Sequence, residues 1–262
     1  MSNVRYERAD SAAVVTLDRE QLRNAVDLET AGELLEAYRR FEDDDEARVM
    51  VLTGAGELAF CAGADLKALA EAAPMIDDPE AWLAQRPHGP LGFTRLTPSK
   101  PTIAAISGWA LAGGLELALW CDLRIASETA KLGFPERRWG VPLIDGGTQR
   151  LPRIVGMGRA LDLILTGRIV EADEALRIGL LTEIVPAGKH LERALEMAEG
   201  LARFPQETML ADRRSALEGS GLPLSEGLAL EARIGSPTSA AGIRGAARFA
   251  AGEGRGGEGA GA

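Results

Sequence analysis

The chain has 262 residues, enough for one large domain or for a main domain with a smaller appendage. Hydrophobic residues make up 46% and charged residues 26%, as in ordinary soluble globular proteins. The net charge of −10 argues against a general nucleic-acid binder, which presents a basic face, although a local group of arginines and N–H donors could still hold an anionic ligand.

Two histidines, His88 and His190, leave little material for a metal site or a histidine-driven triad. Cys61 and Cys121 are widely spaced and form no C-x-x-C pair, so free thiols in a reducing, cytoplasmic setting are expected. The opening M-S-N-V-R-Y-E-R has no apolar core of a secretory signal, and no apolar run reaches the about 18 residues of a membrane span.

Along the chain, Ala12–Leu17 reads as a short strand. Arg48–Thr53 reads as a second strand, apolar enough to be buried on both faces of a parallel sheet. Between them the spacing of Ala31, Leu34, Leu35, Tyr38 and Phe41 predicts a helix capped by Asp27. The acidic run Glu42–Glu46 is read as a solvated connector. Residues 70–98 read as a loop with a broken helix. Strands follow at Thr102–Ser107, Leu123–Ala126 and Ala130–Phe134, so strands alternate with helices in an α/β domain. Beyond Gly156 the pattern is helical, over 159–165, 171–178, 191–204, 206–218 and 224–234, with a strand-like L-L-T-E-I-V before Pro186 and no detectable internal repeat. The expected organisation is a core over 1–200, a helical C-terminal region over 201–251 and a disordered glycine-rich tail over 252–262.

Four segments could carry chemistry. T-G-A-G-E-L-A-F follows a strong strand but lacks the third glycine of a dinucleotide fingerprint; neither a P-loop nor G-x-S-x-G occurs. In F-C-A-G-A-D-L-K, small residues at Ala62, Gly63 and Ala64 let a ligand approach the main chain, and Asp65 can open a helix; a plain tight turn explains the run equally well. In A-L-A-G-G-L-E-L-A-L, Gly113 and Gly114 sit where a strand hands over to a helix, with Glu116 in its first turn. A carboxylate in so apolar a run is costly unless used. In L-G-F-P-E-R-R-W-G-V-P, Glu136 precedes the glycine-rich loop I-D-G-G-T-Q-R.

Taken in order, A-G-A-D-L, S-G-W-A-L-A-G-G-L-E-L-A, C-D-L-R-I-A, G-F-P-E-R-R-W-G-V-P-L-I-D-G-G-T-Q-R-L and T-G-R-I-V-E-A-D-E-A-L-R-I-G-L-L-T-E-I-V-P resemble the enoyl-CoA hydratase/isomerase family, the crotonase superfamily, over residues 14–249. The resemblance implies a crotonase-like fold of repeated ββα units with a helical C-terminal region that packs into trimers and hexamers. It implies an oxyanion hole at the N–H groups of Ala64 and Gly113. It also implies the two catalytic glutamates of hydratases at Glu116 and Glu136, with Glu136 delivering a proton to Cα and Glu116 holding the water. The substrate would be an acyl-CoA thioester, bound near Ala62, Asp65 and Leu66, with Arg23 and Lys67 placed for the phosphates. No metal or other cofactor is implied, since coenzyme A belongs to the substrate, and neither nucleic acid nor membrane is an expected partner.

Three departures stand out. Ala112 replaces the first of the three usual glycines, which reads as a mild change. Asp145 stands where a small residue is usual and is read as an additional acid. The basic ending usual in the family is replaced by R-F-A-A-G-E-G-R-G-G. Hydration is the leading expectation; enoyl-CoA or dienoyl-CoA isomerisation, another acyl-CoA reaction and a non-enzymatic RNA-binding role are the alternatives.

Overall fold

The computed structural model describes residues 2–253, so all of the expected tail but its first two residues lies outside them. The chain divides between Ala198 and Glu199 into two compact units.

The first unit opens with a hairpin of β1 (Val4–Ala9) and β2 (Ala12–Leu17), followed by α1 (Leu28–Asp43). Asp27 caps α1, its side chain accepting the Thr30 N–H at 2.9 Å. Then come β3 (Val49–Gly54), β4 (Ala59–Cys61), α2 (Leu66–Ala72) and α3 (Pro79–Ala84). They are followed by β5 (Thr102–Ile106), β6 (Trp109–Leu111) and α4 (Gly113–Trp120). Next are β7 (Leu123–Ser127), β8 (Lys131–Gly133), a 3-10 turn at Pro135–Trp139, and α5 (Gly147–Val155). The unit continues through α6 (Met157–Thr166), β9 (Ile169–Glu171), α7 (Ala172–Arg177) and β10 (Glu183–Val185) into α8 (His190–Ala202).

The strands form two sheets. The larger has the order β1-β2-β3-β5-β7-β10 and is parallel except for the β1/β2 hairpin. The smaller has the order β4-β6-β8-β9, with only β9 antiparallel. Strands β2, β3 and β5 are buried along their whole length, which accounts for their unbroken apolar sequences.

Three consecutive ββα units, β3-β4-α2, β5-β6-α4 and β7-β8-α5, each give one strand to the large sheet and the next to the small one. Because β4, β6 and β8 are neighbours in the small sheet, the turns after them are neighbours as well. This is what gathers the functional segments, roughly one strand spacing apart, at about 5 Å.

Local differences from the sequence reading have physical causes. β4 and β6 span three residues each, too short for any period to register. β1 lies at a sheet edge with an irregular, mostly open burial pattern. The G-T-Q-R run expected as loop is the first turn of α5, which also tolerates Pro152 near its C-terminus. A further helix, α11 (Ser239–Ala250), follows α9 (Gln206–Gly219) and α10 (Leu224–Gly235) in the second unit. The apolar side chains Leu224, Ile243 and Phe249 are exposed there, at 78%, 72% and 62%. Among the described residues no helix is long and apolar enough to cross a membrane.

Candidate active site

The turns after β4, β6 and β8 all line one cavity of about 640 Å³. At the first of them, main-chain hydrogen bonding is nearly complete. The Ala62 N–H donates to the Arg23 carbonyl at 3.0 Å and the Asp65 N–H to that of Val26 at 2.8 Å. The Gly63 N–H meets the Cys61 Sγ at 3.3 Å. Only the Ala64 N–H finds no acceptor among the described residues. An ion-paired frame fixes this turn. The buried Arg19 guanidinium lies 2.7 Å from Asp27 Oδ2 and 3.3 Å from Asp65 Oδ2, and Asp65 caps α2. Asn24, fully buried, accepts the Arg19 N–H and donates to the carbonyls of Ala55 and Ala59.

The second turn repeats the arrangement. The Ala112 N–H donates to the Gly133 carbonyl at 2.9 Å, and the N–H groups of Leu115 and Glu116 both turn to the Ala112 carbonyl. The Gly113 N–H, at the positive end of α4, has no acceptor among the described residues. The two free donors share one recess. A Cβ on Gly63, whose φ is +92°, would lie 2.9 Å from the Gly113 nitrogen. Gly114 is required for a different reason: a Cβ there would lie 2.0 Å from the Cys61 carbonyl oxygen, where β4 packs on the start of α4.

Ala112 is not the mild change it appears in sequence. Its φ of +53° and ψ of −126° belong to a region that glycine enters freely and an L-residue only under strain. Restoring glycine relieves strain of about 1–3 kcal/mol and adds back about 0.5–1 kcal/mol of chain entropy. Ala112→Gly is therefore expected to raise stability by about 1 kcal/mol, read as a higher urea midpoint at unchanged slope.

Glu116 is 3% exposed, and its Oε1 accepts the N–H groups of Gly147 at 2.7 Å and Asp145 at 3.0 Å. A Cβ on Gly147 would lie 3.0 Å from that same oxygen, so a side chain there would crowd the Glu116 carboxylate. Burial pushes the Glu116 carboxyl up to about 7, with the Gly147 N–H pulling the other way and Asp145 adding to the rise. Glu136, in the 3-10 turn after β8, is 5% exposed, and neither carboxylate oxygen has a hydrogen-bond partner among the described residues. Burial pushes it, too, up to about 7.

Asp145 is buried beside them, and burial raises its carboxyl above the ordinary range. Its Oδ1 accepts the Leu91 N–H at 3.1 Å and the Thr94 hydroxyl. Arg150 braces the same place, donating to the carbonyls of Asp145 at 2.9 Å and Thr94 at 2.6 Å. Leu91, thus anchored, walls the recess: a Cβ on Gly113 would meet its Cδ1 at 2.5 Å.

Of the residues singled out in the sequence, Ala62, Ala64, Asp65, Leu66, Gly113, Glu116, Glu136 and Asp145 line the cavity together. Arg23 and Lys67 do not; both are exposed, and Arg23 serves the site through its carbonyl. The sequence reading missed Arg19, Leu91 and Gly147 and gave Gly63 only a general role. The A-G-A and G-G-T runs carried signals for the glycines. Arg19 and Leu91 act through distant contacts that no local pattern announces.

Main-chain N–H groups without acceptors among the described residues, on one cavity with carboxyls pushed up to about 7, are the equipment of an enzyme that polarises a carbonyl and moves protons. Residues 7–249 match the family described as Enoyl-CoA hydratase/isomerase. Over 235 residues the chain is 38% identical to the short-chain-enoyl-CoA hydratase of Clostridium acetobutylicum, covering 88% of this chain and 87% of that one. It is also 38% identical to the (E)-benzylidenesuccinyl-CoA hydratase of Thauera aromatica, with 86% of each covered. The crystal structure of an enoyl-CoA hydratase from Mycobacterium marinum superposes with a TM-score of 0.85 at 34% identity, covering 95% of this chain and 96% of that one. The chain belongs to the enoyl-CoA hydratase/isomerase family and has the crotonase fold.

Proposed function

We propose that the protein is an enoyl-CoA hydratase, adding water across the 2,3 double bond of a 2-enoyl-CoA thioester. The observation that carries this reading is the pair of buried glutamates with opposite surroundings on one cavity. Two N–H donors held to one carboxylate oxygen favour the ionised form of Glu116. A buried carboxyl whose oxygens have no well-formed hydrogen bond among the described residues favours the neutral form of Glu136.

In this reading the thioester oxygen sits between the N–H groups of Ala64 and Gly113, each worth about 3–4 kcal/mol to a developing oxyanion. Glu116 accepts a proton from a water as its oxygen attacks Cβ. The double-bond electrons move onto the carbonyl oxygen, and the enolate collapses by taking a proton from Glu136 at Cα. A proton passing from Glu116 to Glu136 resets the pair, so their titration belongs to both. These steps call for no metal or redox group, and coenzyme A arrives with the substrate. The exposed Arg23 and Lys67 are assigned to its phosphates. Asp145 is assigned the anchoring of Leu91 and Thr94, whose N–H and hydroxyl its Oδ1 accepts. Assembly into trimers or hexamers is part of the reading, supported by the apolar side chains exposed on α10 and α11. So is a cytoplasmic setting, supported by two unbridged cysteines.

The test is incubation with crotonyl-CoA, following loss of the conjugated thioester absorbance and the product mass. Gain of one water is expected; a product of unchanged mass assigns an isomerase instead.

A further inference from the structure

Two relatives of equal identity are named for different acyl groups, one short-chain and one benzylidenesuccinyl. Family likeness therefore does not choose the acyl group, and the walls of the cavity must. Those walls have two notable properties. They are large and apolar, with Leu69, Ile76, Trp82, Leu83, Trp139 and Val141 among them. Among the described residues they also present carboxylates but no lysine, arginine or histidine side chain.

Three nearby guanidiniums are engaged by other groups. Arg19 is paired with Asp27 and Asp65, and Arg86 stacks 3.6 Å over the Trp82 ring without lining the cavity. Arg150 is engaged by the carbonyls of Asp145 and Thr94.

Volume points the same way. A methylene group occupies about the ~30 Å³ of a water, so a four-carbon acyl group fills on the order of 120 Å³. Half of the 640 Å³ given to the thioester and the coenzyme A arm still leaves room for on the order of ten methylene-sized groups. Trp139 is 74% exposed and Leu69 37%, apolar surface that an acyl chain lying in the cavity would cover.

Resting on the hydratase reading above, we propose that the enzyme takes 2-enoyl thioesters with a large, apolar, uncharged acyl group and rejects those whose acyl end carries a second carboxylate. Each methylene buried against these walls favours binding, whereas a carboxylate at the far end of the acyl group, laid against the same apolar walls, would lose its water and meet no cationic side chain among the described lining residues.

The experiment has two arms on the wild-type protein. Steady-state hydration is measured for crotonyl-CoA, trans-2-decenoyl-CoA and the ten-carbon 2-enoyl-CoA ending in a carboxylate. Calorimetric binding is measured for the saturated butyryl, decanoyl and ω-carboxynonanoyl thioesters. The expected result is a kcat/KM for decenoyl at least about tenfold above crotonyl and about 100-fold above its carboxylated counterpart, with the same order in affinity. Crotonyl equal to or better than decenoyl, or a carboxylated thioester handled as well as the neutral one, overturns the proposal. If nothing is hydrated but the affinities keep this order, the acyl preference stands and the hydratase reading falls.

Discussion

Glu136→Gln lowers kcat for enoyl thioester hydration by about 10²- to 10⁴-fold, the range that a positioned acid or base contributes. Gln keeps the size and shape of the side chain but has no proton to give to Cα. No native contact is lost with it, since the Glu136 oxygens have no partner among the described residues. KM should therefore change little, and the loss should fall on the chemical step. The same substitution moves stability in the opposite direction at alkaline pH. Unfolded glutamate titrates near 4.5, and burial moves the folded Glu136 up to about 7. Between those values the native state holds more protons than the unfolded chain. The stability that goes with a neutral Glu136 is fully present below about 4.5 and is lost as the pH rises through about 7. Glu136→Gln should accordingly melt above the wild type at pH 8 and converge with it at about pH 4, in paired thermal scans. A kcat within about threefold of the wild type would remove Glu136 from the proton path.

The contrast with Glu116 explains why two identical residues can hold different roles. Both are buried and both are pushed to about 7. One is gripped by the start of α5 through Gly147, and the other lines the cavity from a short 3-10 turn with no well-formed hydrogen bond among the described residues. Environment, not residue type, separates base from acid. The grip also shows what Asp145 contributes. Its main chain holds Glu116 while its side chain holds Leu91, so one residue joins the carboxylate to the wall of the N–H recess.

Much of this was legible in the chain. The strands of the large sheet are unbroken apolar runs, and the helix after Asp27 shows its cap and its stripe, so their physics is local. The small sheet is not local. W-A-L and A-F-C become strands only because each lies beside the next, and that adjacency places Ala64, Gly113 and Glu136 on one cavity. The motifs carried the site residues by resemblance, but not the frame that holds them. Arg19 meets Asp65 across 46 positions, and Asp145 meets Leu91 across 54. Ala112 reads as a mild change because the sequence shows only an added methyl group, and the backbone shows the positive φ that makes it strained.

The other large effect is expected at Gly63, which touches no proton in the reaction. A side chain there would meet the Gly113 nitrogen and the Ala112 Cβ at 2.9 Å and the Leu111 carbonyl oxygen at 3.0 Å. Backbone surrounds it, so nothing can swing aside, and the methyl group would crowd the Gly113 nitrogen. Losing one oxyanion donor costs about 10²- to 10³-fold in kcat, and Gly63→Ala should fall by at least that much, because it obstructs the Gly113 donor and tilts the turn carrying the Ala64 donor. The φ of +92° also brings about 1–3 kcal/mol of strain. Gly188→Ala separates the two effects. Its φ is +78°, with nothing within 4 Å of the added Cβ, so it should lose stability by a similar mechanism and keep its kcat. Equal losses of kcat in the two variants would mean that strain, not the blocked recess, was being measured. A Gly63→Ala enzyme as fast as the wild type would mean that the thioester oxygen lies elsewhere.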